Sequence, residues 1–130
     1  MKIRNSKYLG YLQIFLGIGA ITGGLPALLE STNPSGSLLF SFGFTDNVKL
    51  QGLFWVLVCG AGHLIASSLS LKFIKITGIL SVVLGLLMTA CLGLQLYATG
   101  YSIFIQPLFI VLALFEIYLG SRIMIINKKF

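Results

Sequence analysis

Acidic residues are almost missing from this chain. Of 130 residues, only Glu30, Asp46 and Glu116 carry a carboxylate side chain, and His63 is the one histidine. A catalytic carboxylate pair or a cluster of metal ligands has little to draw on, and one His with one Glu does not make a closed metal site. The two cysteines, Cys59 and Cys91, form no C-x-x-C, the spacing expected of a membrane thiol oxidoreductase. Lone cysteines in apolar surroundings are expected to be small buried residues. No Gly-rich phosphate loop, no H-E-x-x-H and no G-x-S-x-G is present, so the common catalytic motifs are missing. We expect no enzyme, no cofactor and no bound metal.

Charge of either sign is scarce. Charged residues make up 9% of the chain and hydrophobic ones 57%, against roughly 25% and 45–50% in soluble domains. A soluble fold of this length buries only about two thirds of its chain surface, too little to hide so much apolar area. The bilayer is therefore the expected solvent. Four stretches reach the ~20 apolar residues a membrane helix needs: 8–29, 52–71, 76–98 and 103–126. The expected fold is all-α, a polytopic four-helix membrane bundle in one domain, with an outer loop over 30–51. The first apolar run is longer than the 7–15 residues of a signal-peptide core and lacks a good cleavage site, so it is expected to stay as a helix.

The net charge of +6 is confined to the span ends. Lys2, Arg4, Lys7, Lys72, Lys75, Arg122, Lys128 and Lys129 fall on one side of a four-span topology, and only Lys49 falls on the other. The positive-inside rule then predicts both termini in the cytoplasm. Basic residues at span ends meet anionic head groups; a basic groove interleaved with aromatics, as single-stranded nucleic acid needs, is absent. The expected partners are the lipid bilayer and a membrane protein or second copy of the chain, with no nucleic acid. Tyr8 and Tyr11 on the inner side, and Trp55, Tyr97 and Tyr101 on the outer, are expected at head-group level. The segment Ser37–Phe44, "SLLFSFGF", is too short to span and is expected along the outer interface.

Small residues mark contact faces between membrane helices. Gly10, Gln13, Gly17, Ala20, Gly24 and Ala27 recur at three- and four-residue steps along the first span. Ser81, Gly85, Thr89 and Gly93 form a ladder on the third. Cys59, His63, Ala66, Ser67 and Ser70 share a face of the second span; Gln106, Ala113 and Gly120 form a seam on the fourth, with Glu116 near its edge. We expect Gly17, Gly24, Gly85 and Gly93 to mediate close packing, with the large side chains turned to lipid.

Glu116, His63 and Gln13 form the candidate intramembrane polar site. Glu116 lies about six residues, or roughly 9 Å of helix rise, from Arg122; Gln13 lies at nearly the same depth, and His63, about nine residues from Lys72, sits about one turn deeper than Glu116. A charge at mid-bilayer costs at least about 2.5 kcal/mol, so such groups face the bundle and find partners. Three readings stand side by side. A Glu116–His63 pair serves as a proton relay or cation site, it serves as a clasp fixing helix register, or Glu116 instead reaches toward the inner interface.

The segments "LGIGAITGGL", "NPSGS", "GLFWVLVCGAGHLIAS" and "IQPLFIVLALFEIYLG" together resemble a group of small, uncharacterised four-helix membrane proteins of bacteria. The resemblance implies a fold and a bacterial plasma-membrane location and brings no activity with it. Relatives in that group often place Pro before the Gly that opens the second span, where this chain has Gln51. The leading functional expectation is a non-catalytic membrane protein acting through lipid or another membrane protein. The alternative is a small proton- or cation-linked transporter using Glu116 and His63. Small multidrug exporters also have four helices and one essential membrane carboxylate, but theirs is in the first helix, which has no acid here.

Overall fold

The computed structural model describes residues 2–29, 48–73, 75–99 and 105–128, and all the regular structure among them is helical. Helix α1 runs Lys2–Leu29. Helix α2 has three parts: an α-helical Val48–Phe54, a π-helical Trp55–Ala61 and an α-helical Gly62–Leu71. Helix α3 covers Thr77–Thr99 and α4 covers Ile105–Lys128. Each contains a window long and apolar enough to cross a membrane: Arg4–Pro26, Lys49–Leu71, Thr77–Tyr97 and Ile105–Asn127. At 1.5 Å per residue these reach about 32–35 Å, enough for a ~30 Å hydrocarbon core.

The helices extend beyond the apolar runs into polar flanks. Residues 48–51, expected in the outer loop, form the first turn of α2. Hydropathy marks only the part of a helix that lies in lipid, so a flank carrying Lys49 and Gln51 is invisible to it. The interfacial segment Ser37–Phe44 and Tyr101 lie outside the described residues. Pro107 sits in the first turn of α4, where an N–H would have no intrahelical partner; Pro26 sits in the last turn of α1, where the bond it removes lies at the helix end.

The bundle is two glycine-zipped pairs set side by side. In the first pair, α1 lies so close to α2 that an added Cβ on Gly24 would stand 2.7 Å from Trp55 Cβ and 2.9 Å from the Gly52 carbonyl oxygen. Gly17 abuts the Gly60 carbonyl and Leu64, and Gly10 abuts Leu71, in the same way. In the second pair, Gly85 of α3 faces the Ala113 carbonyl and Ile117, and Gly78 and Gly120 meet backbone to backbone. Close approach of this kind is what small residues contribute in lipid, where burying one apolar surface against another gains little. The pairs join through α1 with α4 and through α2 with α3, leaving α1–α3 and α2–α4 as diagonals that pack little directly.

Two packing expectations fail. Gly93 is exposed, and a Cβ built on it meets nothing within 4 Å. It follows the Ser81–Gly85–Thr89 ladder at four-residue steps. A 3.6-residue helix rotates such a ladder steadily off its face, and by Gly93 it has left the α4 contact. Trp55, expected at head-group level, is fully buried in the core beside Leu16, Ala20, Cys59, Met88, Cys91, Leu92 and Ala113. Its Cβ stands 2.7 Å from where a Cβ on Gly24 would be, so the glycine leaves room for Trp55 between α1 and α2. Leu57, Ile65, Val83, Leu86, Val111 and Leu114 are exposed on the outer surface, where lipid is the expected solvent.

Candidate functional site: a buried polar brace across both diagonals

All four helices send a polar side chain to the middle of the bundle. Gln13 comes from α1, His63 and Ser70 from α2, Ser81 from α3 and Glu116 from α4, and each is fully buried. Their positions follow from faces already visible in the sequence: each lies on the small or polar stripe of its helix, and folding two glycine-zipped pairs together turns those stripes inward.

The hydrogen bonds close into one network. Gln13 Nε2 donates to Glu116 Oε1 at 2.8 Å and to Ser81 Oγ at 2.7 Å. Ser81 in turn donates to the Thr77 carbonyl at 2.7 Å. Ser70 Oγ lies 2.7 Å from Gln13 Oε1 and 2.9 Å from the Ala66 carbonyl, so its single proton serves one of them at a time. Ser6 donates to the Ser70 carbonyl and ties the network toward the basic end. His63 Nε2 stands 3.1 Å from Glu116 Oε2.

The other ring nitrogen of His63 fixes how many protons this pair holds. Nδ1 lies against the Cys59 carbonyl oxygen, which can only accept, so Nδ1 carries a proton. The Nε2–Oε2 contact then needs one more, on either atom. Neutral imidazole with a protonated carboxyl, or imidazolium with carboxylate, both give a hydrogen bond and a net charge of zero. Either arrangement leaves the buried pair without net charge, the state that costs least to bury.

The π-helical stretch helps set this geometry. Its wider turns leave carbonyls outside the regular i→i−4 ladder, and the Cys59 carbonyl accepts both the Gly62 N–H and the His63 ring. His63 is thus anchored to its own helix on one side and aimed at α4 on the other. Nothing in the sequence signalled a π-helix here.

Of the expected site residues, Glu116, His63 and Gln13 come together. Glu116 is at the centre of the bundle and not at the edge of the α4 seam: Ala113 and Gly120, on either side of it along the seam, are buried with it. Neither does it reach toward the inner interface. Of the glycines, Gly17, Gly24 and Gly85 stand at helix contacts and Gly93 does not. The sequence reading missed Ser6 and Thr77, both buried at the basic end, and Gln95, buried at the opposite end. A hydroxyl or amide on an otherwise apolar inward stripe was the available signal. Cys59 and Cys91 are both buried, with free thiols. Among the described residues, no three His, Cys, Asp or Glu side chains gather as metal ligands.

The chain matches no family model, no curated protein and no solved structure. Its class rests on fold and site: an all-helical protein with four helices able to cross a membrane, braced at its centre by a buried acid–base pair.

Proposed function

We propose that the chain is a non-catalytic, multi-pass protein of a bacterial plasma membrane, with both termini in the cytoplasm, acting through lipid or a membrane protein partner. The observation that carries this reading is the completeness of the brace. Both oxygens of Glu116, both amide atoms of Gln13 and both ring nitrogens of His63 have partners inside the bundle. A satisfied network of this kind sets helix register and leaves the outer surface to meet the surroundings. That surface is apolar along the helices, basic at one end, and grooved between α3 and α4, where a cavity of about 230 Å³ is lined by Val82, Ser121, Met124 and Ile125. Extraction in mild detergent followed by mass spectrometry of the bound lipids and proteins tests the reading. Reproducible lipid or protein partners support it, and a bare monomer from every extraction contradicts it. A fluorescent protein fused to the C-terminus is expected to mature in the cytoplasm.

A second reading is a small proton- or cation-linked transporter using Glu116 and His63. The single proton between Nε2 and Oε2 favours it, because intramembrane Glu and His are frequent proton carriers. Loss of a proton-linked flux in Glu116→Gln, with bundle stability kept, is the outcome that reading requires.

A further inference from the structure

The polar side chains around Glu116 are unevenly distributed along the bundle. Toward the basic end the interior is lined with hydroxyls and an amide: Gln13, Ser81, Ser70, Thr77 and Ser6, all buried. Ser70 Oγ, Gln13, Ser81 and Glu116 join through side-chain hydrogen bonds, and Ser6 reaches the same level by bonding the Ser70 backbone carbonyl. Thr77 Oγ1 has no hydrogen-bond partner among the described residues and adds a further polar atom one turn beyond Ser81. Leu9, Leu119 and Ile123 line the α1–α4 side of this end, so the polar strip runs along α1, α2 and α3.

Toward the opposite end the interior changes character at His63. Leu16, Ala20, Trp55, Cys59, Met88, Cys91, Leu92 and Ala113 pack as one apolar cluster. Thr89, beside this cluster, turns its hydroxyl back to the Gly85 carbonyl. Buried amides return only beyond it, with Gln51, Gln95 and Gln106.

We infer that the Glu116–His63 pair is a proton-binding site loaded from the basic end of the bundle and closed to the other by the apolar cluster. Loading is simple in its balance. Hydronium gives a proton to the one unprotonated position of the Nε2–Oε2 pair and leaves as water; imidazolium then faces a neutral carboxyl, and the net charge of the brace rises from zero to plus one. The Nε2–H then faces a carboxyl that must redirect its own O–H, so the contact keeps at best one neutral-acceptor hydrogen bond and the α2–α4 diagonal is weakened. Few other groups titrate near the pair. From α2 and α3 come only the Cys59 and Cys91 thiols, buried in the apolar cluster, besides His63 itself. From α1 comes the neutral Gln13, and on α4 the next charge is Arg122, about six residues away toward the basic end. A proton moving along the polar strip meets hydroxyls and an amide that can solvate it, and a proton moving the other way meets none within the cluster.

This deepens the proton-linked reading without requiring net transport. The single tryptophan gives a direct readout, because Trp55 lies in the π-helical stretch of α2 whose Cys59 carbonyl holds the His63 ring. Full-length protein is reconstituted in sealed phosphatidylcholine–phosphatidylglycerol vesicles, with orientation assigned by protease access to the termini. One side is then acidified rapidly with a drop of about two to three pH units from near neutral, which raises the hydronium concentration there at least ~100-fold. Acid on the basic-end side is expected to change Trp55 emission before the gradient decays, acid on the other side to leave it unchanged, and the double variant Glu116→Gln, His63→Gln to lose the response. Should that double variant not fold, sidedness is read on the wild type and Ser70→Ala, which removes one rung, is expected to slow it. An equal response from both sides, a response from the opposite side alone, no response at all, or an unaltered response in a folded Glu116→Gln, His63→Gln double variant overturns the inference. A lumenal pH dye in the same vesicles separates the two ideas. A sided response without flux removes the transporter and keeps the site, and flux with no sidedness does the reverse.

Discussion

His63 and Glu116 join two helices that hardly touch otherwise. Their 3.1 Å contact spans the α2–α4 diagonal, while Gln13 and Ser81, 2.7 Å apart, span the α1–α3 diagonal. The Gln13–Glu116 bond ties the two diagonals together at 2.8 Å. Glycine contacts hold neighbouring helices, and the polar brace holds opposite ones.

Breaking the brace by truncation is therefore expected to be costly. Glu116→Ala leaves Gln13 Nε2 and His63 Nε2 facing an apolar gap, and a loss of about 3–5 kcal/mol follows for a buried polar pair deprived of one partner. Glu116→Gln keeps the shape: its amide can accept from Gln13 and donate to the neutral Nε2, so its cost should be clearly smaller. Thermal or SDS unfolding in detergent measures both. Equal stability of Glu116→Ala and wild type would remove the brace as a structural element.

Gln13 and His63 are also expected to be coupled. Both bond the same carboxylate, so in a double-mutant cycle Gln13→Leu and His63→Leu should deviate from additivity by about 1–2 kcal/mol, near the upper end for side-chain hydrogen bonds in membranes. Strict additivity in unfolding measurements would mean the two contacts act independently.

The glycine contacts rank themselves. Gly24→Ala forces a Cβ against Trp55 and the Gly52 carbonyl, and Gly85→Ala against Ile117 and the Ala113 carbonyl. Each is expected to cost about 1–3 kcal/mol through overpacking. Gly93→Ala meets open space and should be neutral or slightly stabilising, since alanine favours a helix over glycine. The same unfolding assay checks all three, and a Gly93→Ala as damaging as Gly24→Ala would mean that another molecule occupies that face.

Thiol chemistry offers an independent check of burial. Cys59 and Cys91 sit in the apolar cluster with free thiols. A membrane-permeant maleimide should label them slowly in the folded protein and fully after SDS denaturation, with no difference on adding reductant. Rapid native labelling would place a path to the surface through the cluster.

Much of this organisation was legible beforehand, and the reason differs from element to element. Four spans follow from run length alone, because the bilayer imposes a minimum helix. The inward stripes of α1 and α2 follow from spacing, and Glu116, His63 and Gln13 follow from the cost of polar groups in lipid. What failed was whatever depends on which helix lies opposite. Gly93 continues a ladder whose contact has already ended, and Trp55 is buried where Gly24 on another helix leaves it room. The π-helical stretch has no compositional mark, though it sets the carbonyl that orients His63. Ser6 and Thr77 look like ordinary flanking residues until the bundle encloses them.

The central claim is that His63 carries its fixed proton on Nδ1 and shares a single further proton with Glu116. Because His63 is the one histidine of the chain, nitrogen-15 labelling of histidine gives a single-site reading in bilayers by solid-state NMR. Near neutral pH the account predicts a directly bonded proton on Nδ1 and an Nε2 signal, hydrogen-bonded to Glu116, that changes in Glu116→Gln. An unprotonated Nδ1, or an Nε2 signal indifferent to Glu116→Gln, would contradict it.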